Sequence, residues 1–243
     1  MVLEAVDRYA GHKGPSVSTE PEKITRVRSA KDTSSNIPTS TVVSPKAPQH
    51  ISGQTLPEGV GHFELRLLPL EAPSRGYHQG SVADDVKKVV DALGPLNLEV
   101  VVRHITACWG FRRTGKNIRD VIEAGIRLAL TQGKVRASAD GRFLWPLSPS
   151  KVMPRVPFGY ESPRDLEEVC PEEIAAAIAL CVQQAGGGIS RDDLVGLVVR
   201  LFGHQRATER LAGPVETVLD AQLAKGRLVS TNGTIHVAQT NGR

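Results

Sequence analysis

Apolar residues recur with helical spacing in three successive stretches of the first half of the folded part of the chain. Each stretch places its apolar positions three or four residues apart, which predicts an amphipathic helix. The three stretches are 82–93, 98–109 and 116–131. Two short segments of alternating apolar and polar residues follow, joined around Asp140-Gly141, a pair typical of a tight β-hairpin turn. The pattern predicts three helices and a hairpin within residues 76–146.

The same order of predicted elements returns in residues 170–237, displaced by 93 positions without insertion or deletion across the matching stretch. Ser190 is the predicted N-cap of the second helix of this copy, and Asn232-Gly233 predicts its hairpin turn. The matching residues keep one order, namely Gly110, Arg113, Ile118, Glu123, Leu130 and Gly133 in the first copy and Gly203, Arg206, Leu211, Glu216, Leu223 and Gly226 in the second. Because Pro214 either starts or kinks the third helix of the second copy, we expect the copies to present different surfaces.

The remaining segments are predicted to lie outside the two copies. Residues 1–75 contain 23 Pro, Ser and Thr residues and two aromatic residues, which predicts a mostly disordered segment. Within it, Val2–Tyr9 has a helical pattern and Phe63–Leu67 alternates like a strand, but an unanchored tail is the favoured interpretation of both. Four prolines within residues 147–169, with Pro146 just before them, predict a semi-rigid extended linker, and 238–243 form a tail.

Three helices followed by a hairpin, with a tight connection between the second and third helices, is the order of a winged helix-turn-helix. The predicted fold class is therefore mainly α with small β-hairpins (α+β), with two tandem winged helix-turn-helix domains after a disordered N-terminal segment. The net charge of +4 is unevenly spread, since residues 110–142 carry eight Lys and Arg against three Asp and Glu. The matching residues 203–236 carry four against three, so the basic excess belongs to the first copy.

In a winged helix the third helix can enter the DNA major groove while the hairpin meets the backbone or the minor groove. Arginine suits phosphate and guanine because its planar guanidinium donates two hydrogen bonds at once. Asn117 either bonds a base edge or caps its helix, and the cap is favoured. A solvated basic face is the alternative interpretation of the set. The candidate nucleic-acid-binding residues are Arg112, Arg113, Lys116, Asn117, Arg119, Arg127, Lys134, Arg136 and Arg142 in the first copy, and Arg206 and Arg210 in the second.

Several other functions find no support in the sequence. Residues 110–117 resemble the phosphate-binding G-x-x-x-x-G-K-[ST] loop, but Asn117 replaces the hydroxyl residue and a helix, not a strand, is predicted before the loop. His104 and Cys108 lie one helical turn apart, and two ligands do not make a zinc site. We therefore expect no enzyme activity, no cofactor and no metal. Three cysteines without a C-x-x-C fit reduced thiols, and neither a signal peptide nor a membrane span is predicted, so a cytoplasmic location is expected.

Three stretches of the chain carry a resemblance to a known family. Residues 94–101 (GPLNLEVV), 109–118 (WGFRRTGKNI) and 141–146 (GRFLWP) resemble the DUF3320 domain, and 171–178 with 201–206 are similar to the segment that follows it. The domain lies near the C-terminus of large bacterial superfamily I helicase-related proteins, some of which carry a Vsr-like nuclease. Asn97 stands where the family usually has histidine, and the helicase motor motifs are absent. The resemblance implies an accessory module without ATPase activity.

The leading hypothesis is a non-catalytic nucleic-acid-binding module of a helicase-like repair or defence system, which contacts duplex phosphates mainly through the first copy. The alternative is a winged-helix interaction module that docks on a helicase or nuclease partner. A sequence-specific regulator stays open, as do the choice between DNA and RNA and the oligomeric state.

Overall fold

The computed structural model describes residues 58–72, 79–148, 151–157, 163–186 and 188–238. In this part the protein is a mixed α+β structure with six α-helices and small sheets. Val2–Tyr9 and residues 239–243 lie outside the described residues. The elements in chain order are β1 (Gly61–Phe63), α1 (Gln79–Leu93), β2 (Leu96–Asn97), α2 (Leu98–Cys108), α3 (Lys116–Thr131), β3 (Arg136–Ala137), β4 (Phe143–Trp145), β5 (Arg155–Pro157), α4 (Pro171–Gln184), β6 (Ile189–Ser190), α5 (Arg191–Leu201), α6 (Glu209–Ala224), β7 (Leu228–Thr231) and β8 (Thr234–Val237).

Two groups of elements have the same order and the same sheet. Repeat 1 runs from α1 to β4 and repeat 2 from α4 to β8. In each, a two-residue strand between the first two helices pairs antiparallel with the last strand of the hairpin, which gives the sheet orders β2-β4-β3 and β6-β8-β7. The bounds of α5 and α6 are those of α2 and α3 displaced by 93 residues. The repeat seen in the sequence thus has the same offset in three dimensions.

Local side chains fix the start of the second helix in both repeats. The Asn97 side chain accepts a hydrogen bond from the Glu99 N–H at 2.9 Å, and the Ser190 hydroxyl accepts one from the Asp193 N–H at 3.2 Å. Such N-caps satisfy helical N–H groups that have no partner within the helix. Ser190 was the predicted cap, and the predicted bounds 116–131 of the third helix are those of α3.

Each repeat has its own apolar core between its three helices and its sheet. The largest of the fully buried side chains in these cores are Ile105, Ile122 and Leu144 in repeat 1 and Ile174, Ile178, Leu194, Phe202, Leu219 and Ile235 in repeat 2. Trp109 and Phe202 occupy equivalent positions and are both buried. Two separate cores mean that the two repeats can differ on their surfaces without disturbing each other's packing.

The prediction of disorder through residue 75 is wrong for residues 58–72. Strand β1 pairs in parallel with β5, and Leu70 is buried in the core of repeat 1 with 8% of its surface exposed. The Leu68 N–H donates to Cys108 Sγ at 3.4 Å, which ties the segment to α2. A few apolar residues are enough to dock this otherwise polar segment, because they reach a preformed apolar surface and need no core of their own.

The predicted linker, residues 147–169, is also more structured than expected. It contains β5 and a short 3-10 helix over Leu166–Glu168, and both Arg164 and Leu166 are buried. A spacer would keep such side chains in water, so the described residues 151–157 and 163–169 are part of the packed structure between the repeats.

The third helix of repeat 2 does not start at Pro214, because α6 begins at Glu209 and has Pro214 inside it. The Leu211 and Ala212 N–H groups both donate to the Thr208 carbonyl, at 2.9 and 2.8 Å, which forms the first turn. Within the described ranges, no helix has both the length and the apolar content needed to cross a bilayer.

Candidate nucleic-acid interface

The turn between α2 and α3 is held by its own backbone. The Gly110 N–H donates to the Ala107 carbonyl at 2.9 Å, and the Phe111 N–H donates to the Thr106 carbonyl at 3.1 Å. This pattern closes the C-terminus of α2 and places Gly110 at φ +80°, where glycine is favoured. The Thr114 hydroxyl donates to the Thr106 hydroxyl at 3.1 Å and anchors the far side of the turn.

Four of the predicted site residues lie together on this turn and on the first turn of α3. Arg112, Arg113, Lys116 and Asn117 are all exposed. None of the three cations has an ion pair or a side-chain hydrogen bond within the part of the chain that the structure describes. We call these four residues the turn cluster. Three positive charges are therefore presented side by side, with no intramolecular partner to compete with a ligand.

The start of α3 is an unusual place for these cations. Its N-cap is Gly115, which offers no side chain, and the first turn contains no acid. Asn117 lies inside the helix, so the favoured prediction that it caps α3 is wrong. The N-terminus of a helix is electropositive and stabilises anions, so cations placed there are unfavourable unless an anion is bound. In contrast, α2, α4, α5 and α6 each have an acid in the first turn.

Two further candidates of repeat 1 are paired within the chain. Arg119 donates two hydrogen bonds of 2.8 Å to the Glu99 carboxylate and a third of 3.4 Å to Glu123. The hydrogen bond from Arg119 lowers the pKa of Glu99 below its ordinary value, and the same bond raises the pKa of Arg119. Lys134 pairs with Asp84 of α1 at 2.6 Å. A ligand would have to displace these acids, so neither cation is unpaired at the surface.

The hairpin cations Arg136 and Arg142 also make contacts inside the chain. The Arg136 guanidinium carbon lies 4.9 Å from the centre of the Trp145 ring, and its Nε donates to the Pro146 carbonyl at 3.3 Å. Arg142 donates to the Glu167 carbonyl at 3.1 Å. One strand of the hairpin, β4, is covered, since Phe143 and Trp145 pack with Cys170 and Val152, whereas β3 is exposed. Repeat 1 therefore uses its hairpin to contact the segment that leads to repeat 2.

Arg127 is exposed, but it lies apart from the turn cluster on α3. It follows Lys116 by eleven residues, which is about three turns, or roughly 16 Å along the helix axis. Asp120 and Glu123 lie between them on the same side of the helix, at the four- and seven-residue positions from Lys116. The positive surface is therefore concentrated at the start of α3 and does not extend along the whole helix.

Repeat 2 covers its equivalent turn with the segment before α4. The His204 Nε2 lies 2.8 Å from the Arg164 carbonyl oxygen, and Arg210 binds Asp165 at 2.6 Å. A Cβ at Gly203 would lie 3.0 Å from Pro157 Cγ, whereas a Cβ at Gly110 would have no neighbour within 4 Å. Of the two predicted residues in repeat 2, Arg210 is thus occupied, and Arg206 is exposed without a described partner.

A buried ionic group joins the two repeats. Glu173, at the start of α4, has no exposed surface and receives hydrogen bonds from Arg155 and Arg164. Arg155 also donates to the Pro95 carbonyl of repeat 1 at 3.0 Å, and the Arg164 guanidinium carbon lies 3.8 Å from the centre of the Phe63 ring. Burial by itself raises the pKa of Glu173, but the charges and hydrogen bonds of the two arginines outweigh it and lower that pKa below its ordinary value. Glu173 is therefore ionised at neutral pH.

Other reactive groups are buried or isolated. Burial raises the pKa of the Cys170 thiol to about 12 and that of Cys181 to about 11, so neither forms a thiolate at neutral pH. Over the described ranges, no three His, Cys, Asp or Glu side chains are grouped as metal ligands. His104 is buried on α2, and burial lowers its pKa, an effect that a hydrogen bond to the Arg66 backbone partly opposes.

Phe111 was not among the residues predicted from the sequence. The residue is 41% exposed and is followed by Arg112 and Arg113. An aromatic residue followed by two arginines inside a predicted turn between helices is the signal that would have identified it. The chain matches no protein-family model, no curated protein and no solved structure. The resemblance to the DUF3320 domain therefore stays a prediction.

Proposed function

We propose that this protein binds nucleic acid, duplex DNA with low sequence specificity, through the turn cluster of repeat 1. The observation that carries the proposal is a set of three exposed, unpaired cations at an uncapped helix N-terminus. Both the side chains and the helix terminus attract anions, and phosphate is the anion that a row of closely spaced cations fits best. Contacts of this kind bind the backbone and do not read sequence.

The proposed fold of each repeat is a winged helix-turn-helix. It is supported by the order of helix, strand, helix, helix and hairpin, and by the pairing of the first strand with the last. In this fold the third helix and the turn before it face the DNA. The turn cluster lies at that place in repeat 1.

The proposed cellular role is that of a non-catalytic accessory module in a helicase-like repair or defence system. This part of the proposal rests on the resemblance of residues 94–101, 109–118 and 141–146 to the DUF3320 domain. A helicase or nuclease partner belongs to the same proposal.

The test removes the three cations of the turn cluster and compares the loss of affinity with that caused by removing three cations elsewhere. The triple variant R112A/R113A/K116A is expected to bind a random-sequence duplex at least about tenfold more weakly than wild type at moderate salt. The control R206A/K225A/R227A removes three exposed cations from repeat 2 and leaves the same net charge. We expect it to bind within about twofold of wild type. Equal losses in the two variants would show a general charge effect and would contradict the proposal.

A second candidate function, docking on a protein, has one observation in its favour. In repeat 2 the equivalent turn already holds a peptide segment, through the Arg164 N–H to Phe202 carbonyl bond of 3.2 Å and through the ion pair of Arg210 with Asp165. The bare turn of repeat 1 has the shape to hold an acidic segment of a partner in the same way. Under this function the chain shows no salt-sensitive binding to duplex and co-purifies with a helicase or nuclease subunit.

A further inference from the structure

The residue that precedes the turn cluster, Phe111, has an aromatic ring that phosphate binding does not explain. Phe111 is the one aromatic side chain that the structure leaves exposed among the residues it describes; Trp109, Phe143, Trp145 and Phe202 are buried, and Phe63 is partly so. An exposed phenyl ring keeps apolar surface in water, which is unfavourable until a ligand covers it. The ring lies directly beside cations that suit an anionic ligand.

Hydrogen bonds fix the backbone at Phe111. The Phe111 N–H donates to the Thr106 carbonyl at 3.1 Å, and the Thr114 hydroxyl donates to the Thr106 hydroxyl at 3.1 Å, which closes the turn against α2. Because the backbone of this turn is already ordered, little backbone conformational entropy is lost when a flat ligand stacks on the ring.

Repeat 2 does not preserve this arrangement. His204 takes the equivalent position, and its Nε2 is bound to the Arg164 carbonyl oxygen at 2.8 Å. The residue that follows is Gln205 in place of Arg112. An exposed ring followed by two cations is thus specific to repeat 1, and core packing does not require it, since Phe111 is not among the residues packed in the core of repeat 1.

We propose that Phe111 stacks on an unpaired nucleobase, so that the site takes a duplex where it meets a single strand. This inference rests on the proposed function, because the cations of the turn cluster hold the phosphates while the ring takes the first unpaired base. In the interior of a duplex each base face is covered by its neighbours, so away from the two terminal base pairs only an unpaired base offers a face for stacking. Aromatic stacking on bases is sequence-tolerant, which agrees with backbone binding by the cations.

The experiment measures the affinity of the full chain for three DNA probes of one sequence at one salt concentration. The probes are a blunt duplex, the same duplex with a single-stranded extension, and that extension with an abasic site at its first unpaired position. Wild type is expected to bind the extended probe on the order of tenfold more tightly than the blunt duplex. The abasic site removes the gain.

Variants of Phe111 make the result specific to the ring. Both F111A and F111L are expected to lose the gain on the extended probe and to keep the affinity for the blunt duplex, since leucine is apolar but has no aromatic face. The control L197A removes a side chain of similar exposure, 38%, from repeat 2, and we expect it to keep the gain.

The two proposals fail in different ways. If no probe binds with a dependence on salt, the proposed function fails and this inference fails with it. If the probes bind with salt dependence but with equal affinity, or if F111A keeps the gain, the function stands and the inference is overturned. A loss of affinity in F111A that is equal on the blunt duplex, as a contact with a thymine methyl would give, overturns it as well.

Discussion

The two repeats share one backbone arrangement and use the same turn for opposite purposes. In repeat 2 the turn at Gly203 is covered by Pro157 and Pro163, and its polar side chains bind the segment before α4. In repeat 1 the turn at Gly110 has no covering segment among the described residues, and it presents cations. The charges follow the same division, since α3 carries three cations and two acids, whereas α6 carries one cation and three acids. The same backbone arrangement is thus kept while one turn is covered by its own chain and the other is left uncovered by the described residues.

The repeats also differ in how closely their first and third helices approach. Gly125 of α3 lies against Val82 of α1, where an added Cβ would be 2.4 Å from Val82 Cγ1. The residues displaced by 93 are Val218 and Ala175, and the second pair of helices leaves a cleft of about 490 Å³ that these two side chains help to line. In repeat 1 the helices touch where Val82 of α1 meets Gly125 of α3. In repeat 2 the smaller residue, Ala175, is on the first helix and the larger, Val218, is on the third, and the helices leave the cleft open there.

The face of the second helix shows a third difference. In repeat 1 the segment 58–72 covers α2 and buries His104, whereas the equivalent residue of α5 is the exposed Leu197. Leucine is usually buried more often than histidine, and here the order is reversed. His104 is buried because the segment 58–72 covers it.

The largest effect is expected from the buried carboxylate that joins the repeats. Replacing Glu173 with Gln leaves two guanidinium groups without their counter-charge and should lower the free energy of unfolding by about 3–5 kcal/mol. The equivalent residue of repeat 1 is Gly80, so this interaction belongs to one copy only. Chemical unfolding of the full chain measures the loss.

The neighbouring exposed acid provides the control for this change. The variant E172Q removes a negative charge from the same helix turn, and it should change the free energy of unfolding by less than about 1 kcal/mol. A similar loss of unfolding free energy in E173Q and E172Q would mean that the contacts of Glu173 with Arg155 and Arg164 do not stabilise the contact between the repeats.

A smaller effect is expected where the helices of repeat 1 touch. The variant G125A should lower the free energy of unfolding by about 1–3 kcal/mol, because the new Cβ meets both the side chain and the backbone of Val82. In α5, a Cβ at Gly196 would meet only the end of the flexible Arg200 side chain, at 3.4 Å, so G196A should raise the stability by about 0.5–1 kcal/mol through helix propensity. Thermal unfolding of both variants checks the opposite signs, and a stabilising G125A would contradict the close contact.

The smallest effect concerns the pH dependence of stability. The folded pKa of His104 lies below the ordinary value of 6.5, so this group contributes its full stability above pH 6.5. As the pH falls below 6.5 the unfolded chain takes up a proton that the folded chain does not, and the free energy of unfolding falls by at most about 1.4 kcal/mol per pH unit. The variant H104L, with the residue that repeat 2 has at this place, should flatten the curve between pH 7 and 5. An unchanged curve would show that His104 does not titrate below its ordinary range.

Local patterns were sufficient for the longer elements. The spacing of apolar residues predicted α3 with its bounds, and Asn232-Gly233 predicted the second hairpin, in which both residues have the positive φ that such turns need. The two-residue strands β2 and β6 were not predicted, because two residues show no alternation and both pair with strands more than 40 residues away.

The interactions between distant segments could not be read from the sequence. Arg155, Arg164 and Glu173 are separated by nine residues each in a proline-rich stretch, and nothing in their spacing indicates a shared buried site. The same holds for Arg119 and Lys134, which look like free cations until the positions of Glu99 and Asp84 are known. Composition located the basic excess, and only tertiary structure separates the paired cations from the unpaired ones.

The most direct test of the difference between the repeats is the salt dependence of binding to a random-sequence duplex. If three cations of the turn cluster contact phosphates, the logarithm of the affinity should fall with the logarithm of the salt concentration at a slope of about −3, and Arg127 would add about −1. In R112A/R113A/K116A the slope should lie between about −1 and zero, while R206A/K225A/R227A should keep the wild-type slope. A wild-type slope near zero, or a slope that the repeat 2 variant loses and the repeat 1 variant keeps, would contradict the account.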